Sequence, residues 1–91
     1  QIIEELAFYQ VTARLARLLL SLPPQRLTGE ENQRLTQQEL AARLGTVREV
    51  VARSLRDLER SRAIQIHRRH ILILDPQRLQ AWASGSPDLE E

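Results

Sequence analysis

Gly45 sits between two stretches of helical periodicity with only a few residues to turn in, and that arrangement limits this 91-residue chain more than any other feature does. Thr36, followed three residues later by Glu39, forms a T-x-x-E capping box in which each side chain satisfies a backbone N–H that the first helical turn leaves unpaired. A helix is therefore expected to start near Gln37. Its apolar residues Leu40, Ala41 and Leu44 make one buried stripe, and Gly45 can take the positive φ that stops a helix just past its end. A second helix is expected from about Val47 to Arg60.

The second helix has two different sides. Each residue advances by about 100°, so with Arg48 at zero, Ala52, Arg56, Glu49, Arg60 and Arg53 all fall within an arc of roughly 140°. Every long side chain in that arc is charged. Val47, Val50, Val51, Ser54, Leu55 and Leu58 fill the rest, an apolar face broken only by the serine. Ala52 is small enough to let the helix axis approach a groove while its long neighbours reach into it. Arginine bonds bidentately to O6 and N7 of guanine and glutamate accepts from N4 of cytosine, so Arg48, Glu49 and Arg53 are candidate readers of about three base pairs. Glu49 and Arg53, four residues apart, can also form a surface ion pair that holds both side chains in place.

Charge distribution agrees with an anionic partner. The net charge is only +1, and all thirteen basic residues are arginine. Between Arg34 and His70, however, nine arginines face four acids, a net of +5, and the rest of the chain carries −4. Such clustering supplies the sequence-independent attraction to phosphates on which nucleic-acid affinity rests. With no cysteine, disulfides and thiolate metal sites are excluded. Nothing resembles a signal peptide or a spanning helix, so a cytoplasmic protein with no membrane partner is expected.

Before the helix pair, Ile2, Ile3, Leu6 and Tyr9 recur at helical spacing from the first residue, as in a chain cut within a longer helix. A bend is expected at Gln10. Val11, Leu15, Leu18, Leu19 and Leu22 then form an amphipathic helix that Pro23 and Pro24 end. Two short pieces, Arg26–Thr28 and Gln33–Leu35, flank the turn-like Gly29-Glu30-Glu31-Asn32 and are expected to pair as a minimal hairpin. After the second helix, Ala63–His67 and His70–Leu74 alternate as strands joined by Arg68-Arg69, a wing with two arginines at its tip. Asp75-Pro76 caps a last helix in which Leu79 and Trp82 close the core. Residues 84–91 are polar and acidic and read as a disordered tail. The fold class is mainly α with small β-hairpins (α+β), a winged helix-turn-helix.

His67 and His70 could share a zinc ion, but no cysteine or adjacent carboxylate completes a tetrahedral set, so no metal is assigned. They are placed on the DNA-facing side of the wing. The two histidines lie in one hairpin, with no serine or acid spaced for a catalytic triad, so no enzyme is expected.

The runs Leu6–Ala16 and Leu19–Leu22, then Thr36–Leu40, then Gly45–Arg53 with its R-E-x-x-x-R element, resemble the C-terminal part of the Crp/Fnr family of bacterial transcription regulators. The resemblance covers residues 1 to about 83. It implies that Arg48, Glu49 and Arg53 read bases and that Thr36, Gln37 and Arg69 hold the DNA backbone. Thr46, Arg56 and Arg68 are added as backbone candidates, and Gln10 is placed at the hinge between a dimerisation helix (residues 1–9) and the DNA-binding domain (residues 10–83). The implied target is a TGTGA-like half-site, repeated in inverted orientation for a homodimer. The implied effector would bind an N-terminal domain outside this chain, and no cofactor is assigned to these residues.

Departures from the family pattern narrow what carries over. Val47 stands where many members have a serine that bonds a phosphate and Val50 where some have a threonine, so those two backbone contacts are not carried over. Arg62 and Arg68 replace frequent glycines, which predicts a helix exit and a wing turn of different shape. The loop after Pro23 is shorter than the one that touches RNA polymerase in cyclic-AMP-responsive members, so a polymerase contact is implied for the family but assigned to no residue. A winged helix can also serve as a protein-docking module. Docking helices usually present apolar residues outward, whereas this one presents Arg48, Glu49, Arg53, Arg56 and Arg60.

Overall fold

The computed structural model describes residues 2–85, with side chains from Tyr9 onward; the expected tail beyond residue 85 lies outside the described residues. Seven elements follow in order: α1 (Ile2–Ser21), α2 (Gln25–Thr28), α3 (Gln37–Leu44), α4 (Arg48–Arg60), β1 (Ile64–His67), β2 (His70–Ile73) and α5 (Pro76–Ala83). Helix α1 packs against α3, α4 and α5. Leu15 and Leu19 of α1 are fully buried with Leu40, Val51, Leu55, Leu58, Ile64 and Leu79, which join every layer into one core. Burying a leucine or isoleucine of this kind contributes about 1.5–3 kcal/mol. None of the described helices is long and apolar enough to cross a membrane.

Helix α1 is the clamp of the domain. Arg14 Nη2 donates to the Leu44 carbonyl at 2.8 Å and Arg17 Nη1 donates to the Ala83 carbonyl. Both acceptors belong to the last turn of a helix, where carbonyls lack intrahelical partners and the dipole favours a cation. The serine that interrupts the apolar side of α4 finds its reason here as well. Ser54 and Thr12 are both fully buried, and their hydroxyls meet at 2.9 Å.

At Gln10, where a bend is expected, α1 is continuous and shows no break. Glutamine is a good helix former, and on the exposed side of an amphipathic helix it is an ordinary residue. The hairpin expected around Gly29 is absent. Residues Gln25–Thr28 form a helical turn, and of the expected pairing there remains a hydrogen bond from Leu35 N–H to the Arg26 carbonyl at 3.0 Å. Proline sets the helical φ at the entrance, and the Pro24 carbonyl accepts from the N–H groups of Leu27 and Thr28, both at 2.9 Å. Leu27 thereby drops into the core. A β-carbon on Gly29 would stand 2.5 Å from the Gln25 carbonyl oxygen, so glycine is what lets the chain leave so tightly.

Helix α3 begins and ends as expected. The Thr36 hydroxyl accepts from Glu39 N–H at 3.0 Å, the Glu39 carboxylate accepts from Thr36 N–H at 2.8 Å, and Gly45 closes the helix at φ 72°. Helix α4 starts at Arg48, with Val47 as an N-cap that offers no side-chain bond. Its exit is a Schellman turn, in which Ala63 N–H donates to the Leu58 carbonyl and Arg62 N–H to the Glu59 carbonyl. Arg62 holds the left-handed position of that turn at φ 71°.

The wing is a two-stranded antiparallel hairpin with Ile64 opposite Ile73, Gln65 opposite Leu72, Ile66 opposite Ile71 and His67 opposite His70. The isoleucines face inward, and Gln65, His67 and Leu72 are exposed. Arg68 and Arg69, at φ 51° and 69°, form the turn, with positive φ at both central residues as a type I′ hairpin requires. Arg62 and Arg68, the two arginines in glycine positions, therefore both take the positive φ that glycine favours, where a different exit and turn are expected. Asp75 caps α5 by accepting from Arg78 N–H at 3.1 Å, Pro76 opens the helix, and Leu79 is fully buried. Trp82 closes the edge of the core, donating to the Ser61 hydroxyl at 3.0 Å and meeting the Tyr9 ring edge-on at a centroid distance of 6.1 Å.

Candidate nucleic-acid interface

Burial of one side of α4 decides where the other side points. Val51, Ser54, Leu55 and Leu58 are sunk in the core, so the arc from Arg48 to Arg53 must face away from it. Arg48, Glu49, Arg53 and Arg56 are all exposed, and Ala52 between them is half-buried. Arg60, at the far end of the arc, is engaged with Asp57 at 2.8 Å.

Beside this face lies a groove of about 450 Å³ between α3, the start of α4 and the wing. Polar residues Arg34, Thr36, Gln37, Gln38, Arg48 and Arg69 line it over a floor that includes Leu35, Leu40 and Ile71. Four residues expected at the interface, Thr36, Gln37, Arg48 and Arg69, are thus brought to one place although the sequence separates them by up to 33 positions. Thr36 uses its oxygen as an acceptor within the capping box, which leaves its O–H free to donate. The hydrogen bond from Thr36 N–H is also the largest cause that holds the Glu39 carboxyl below its ordinary pKa, helped by the nearby Arg26 and Arg43. The start of α3 therefore keeps a carboxylate that binds the protein's own donor.

Of the remaining expected residues, Thr46 is half-buried in the turn between the helices, and Arg68 is exposed at the wing tip. Gln10 lies on α1 and is not part of the groove. His67 and His70 are cross-strand partners, with His70 Nδ1 at 3.1 Å from the Arg68 carbonyl. Among the described residues, no group of three histidine, cysteine or acidic side chains gathers as a metal site.

Two contributors were missed in the sequence. In the sequence Arg34 stands out only as one charge of a basic segment and a member of the short Gln33–Leu35 piece, and its place just before a capped helix is the signal that points to it. Glu59 Oε2 accepts from Ile66 N–H at 3.0 Å and so ties β1 of the wing to α4. That contact had no sequence signature.

A capped two-helix unit with a tight glycine turn, a following hairpin and an outward charged helix define the class: a winged helix-turn-helix domain that binds DNA. The chain belongs to the Crp-like helix-turn-helix domain family, whose model matches residues 13–82. It is similar to a solved transcriptional regulator of the CRP/FNR family from Thermus thermophilus. The two share 35% sequence identity with a TM-score of 0.68, over 90% of this chain and 44% of that one. The chain thus spans less than half the length of that protein. Comparison with curated protein sequences gave no match.

Proposed function

We propose that this domain recognises a TGTGA-like half-site, with Arg48, Glu49 and Arg53 reading base edges in the major groove. Thr36, Gln37, Thr46, Arg56, Arg68 and Arg69 hold the phosphate backbone on either side. The observation that carries this reading is the two-sidedness of α4: Val51 and Leu58 are fully buried, whereas Arg48, Glu49 and Arg53 are exposed beside an arginine-lined groove. A protein-docking role is disfavoured by the same face, whose long side chains are all charged.

In a two-fold pair of chains, the recognition helices would lie about one DNA turn apart and read an inverted repeat. The signal that controls such a pair would be sensed by a segment outside these residues. The hinge role of Gln10 would then act by reorienting an unbroken helix, not by bending it. RNA polymerase would be a further partner of such an assembled regulator, through a contact assigned to no residue of this chain.

Selection of preferred sites from random duplexes tests the reading directly. Arg48→Ala or Glu49→Ala should relax preference at the positions read, costing about 1–3 kcal/mol at the best site. If Glu49→Ala selects the same motif as the parent, the assignment of the readers is wrong.

A further inference from the structure

The wing turn is built from residues that resist its shape. Arg68 and Arg69 both lie in the left-handed region, where a β-carbon meets a steric cost that glycine does not. Turns of this type accordingly favour Asn-Gly or Gly-Gly, and a less suited pair persists only where its surroundings hold it. Here the hold converges on one atom. The Arg68 carbonyl oxygen accepts from Arg34 Nη1 at 3.4 Å and stands 3.1 Å from His70 Nδ1. His70 belongs to the hairpin itself, so Arg34 is the hold that comes from the helical body.

Arg34 is well placed to act as a fixed point. Its own N–H donates to the Glu30 carbonyl at 3.1 Å, and the next residue, Leu35, donates to the Arg26 carbonyl at 3.0 Å. Arg34 as a residue is half-buried, its Nε is closed off from solvent without a hydrogen-bond partner while its bond to Arg68 is exposed, and no ion pair among the described residues includes it. Arg48 and Arg69 line the same groove, and the Glu31 carboxylate that also borders it makes no ion pair among the described residues. Three arginines thus border one groove alongside a single carboxylate. They make sense where a polyanion is to be received.

We propose that Arg34 is a positioning residue of the DNA interface: by holding the Arg68 carbonyl it keeps the left-handed wing turn formed and aims Arg69 at the phosphate backbone. The inference rests on the DNA-binding reading above. Arg34 acts through Arg69, and this separates it from a direct phosphate contact, whose loss would be independent of Arg69.

The test compares Arg34→Met, Arg69→Ala and the double variant of this chain in duplex binding across a salt series. Methionine keeps the aliphatic stem and removes both donor and charge. A positioning role predicts that each single variant loses affinity several-fold and that the double variant binds no worse than Arg69→Ala alone. Losses that multiply, with the salt slope falling separately for each substitution, would overturn the inference and leave the DNA reading standing. Failure of the parent chain to bind any duplex would overturn both. In the DNA-free chain, ¹⁵N relaxation should show Arg68 and Arg69 amides becoming mobile in Arg34→Met while the amides of α3 and α4 stay as they are. A wing as rigid as the parent's would refute the role in positioning.

Discussion

Arg62 offers a case in which shrinking a side chain should strengthen the fold. It occupies the left-handed position of the turn that ends α4, at φ 71°. The side chain is exposed and makes no hydrogen bond or ion pair among the described residues. Replacing it with glycine removes the left-handed penalty of roughly 1–2 kcal/mol, against which the greater freedom of glycine in the unfolded chain costs about 0.5–1 kcal/mol. A net gain of about 0.5–1 kcal/mol is expected. At roughly 2.1 cal/mol/K of unfolding entropy per residue, that raises the Tm of a chain this size by about 3–5 °C. Trp82, the sole tryptophan, is half-buried against Tyr9, so its fluorescence can follow the transition. Arg62→Ala is the control, because it removes the same side chain but keeps the β-carbon; it should stay near the parent. If Arg62→Gly melts at or below the parent's temperature, the reasoning from φ is refuted.

Two further outcomes are open to simple measurement. Arg69→Ala should weaken binding to all duplexes about equally and reduce the salt slope by about one; an unchanged slope in a salt titration rejects a phosphate contact. The Glu39 carboxyl has a folded-state pKa below its ordinary 4.5, so its contribution is fully present above that value and is lost as pH falls through the lowered one. Urea melts over the acid range should show a shallower loss of stability for Glu39→Gln than for the parent, and identical slopes would count against a stabilising carboxylate at the start of α3.

The features legible in the sequence were those whose partners sit close along the chain. Thr36 and Glu39, Gly45, and Asp75-Pro76 each carry their reason within four residues, and each marks a helix boundary in the structure. The charged arc of α4 followed from periodicity alone. What escaped depended on distant or very short segments. Ser54 looked like a defect because Thr12 lies 42 positions away, and α2 is a single turn, too short to show a period. The family's glycine positions misled in another way. Arg62 and Arg68 keep the glycine conformation at an energetic cost, and composition does not reveal what a fold will tolerate.

Arg14 and Arg17 project from one helix and reach the ends of two others. An axle keyed to two wheels at their rims cannot turn without carrying both. A displacement of α1 would therefore strain its bonds to α3 and α5 together, and through the buried hydroxyl pair its bond to α4. In a regulator that displaces α1, the outward face of α4 would therefore be reoriented together with the rest of the domain.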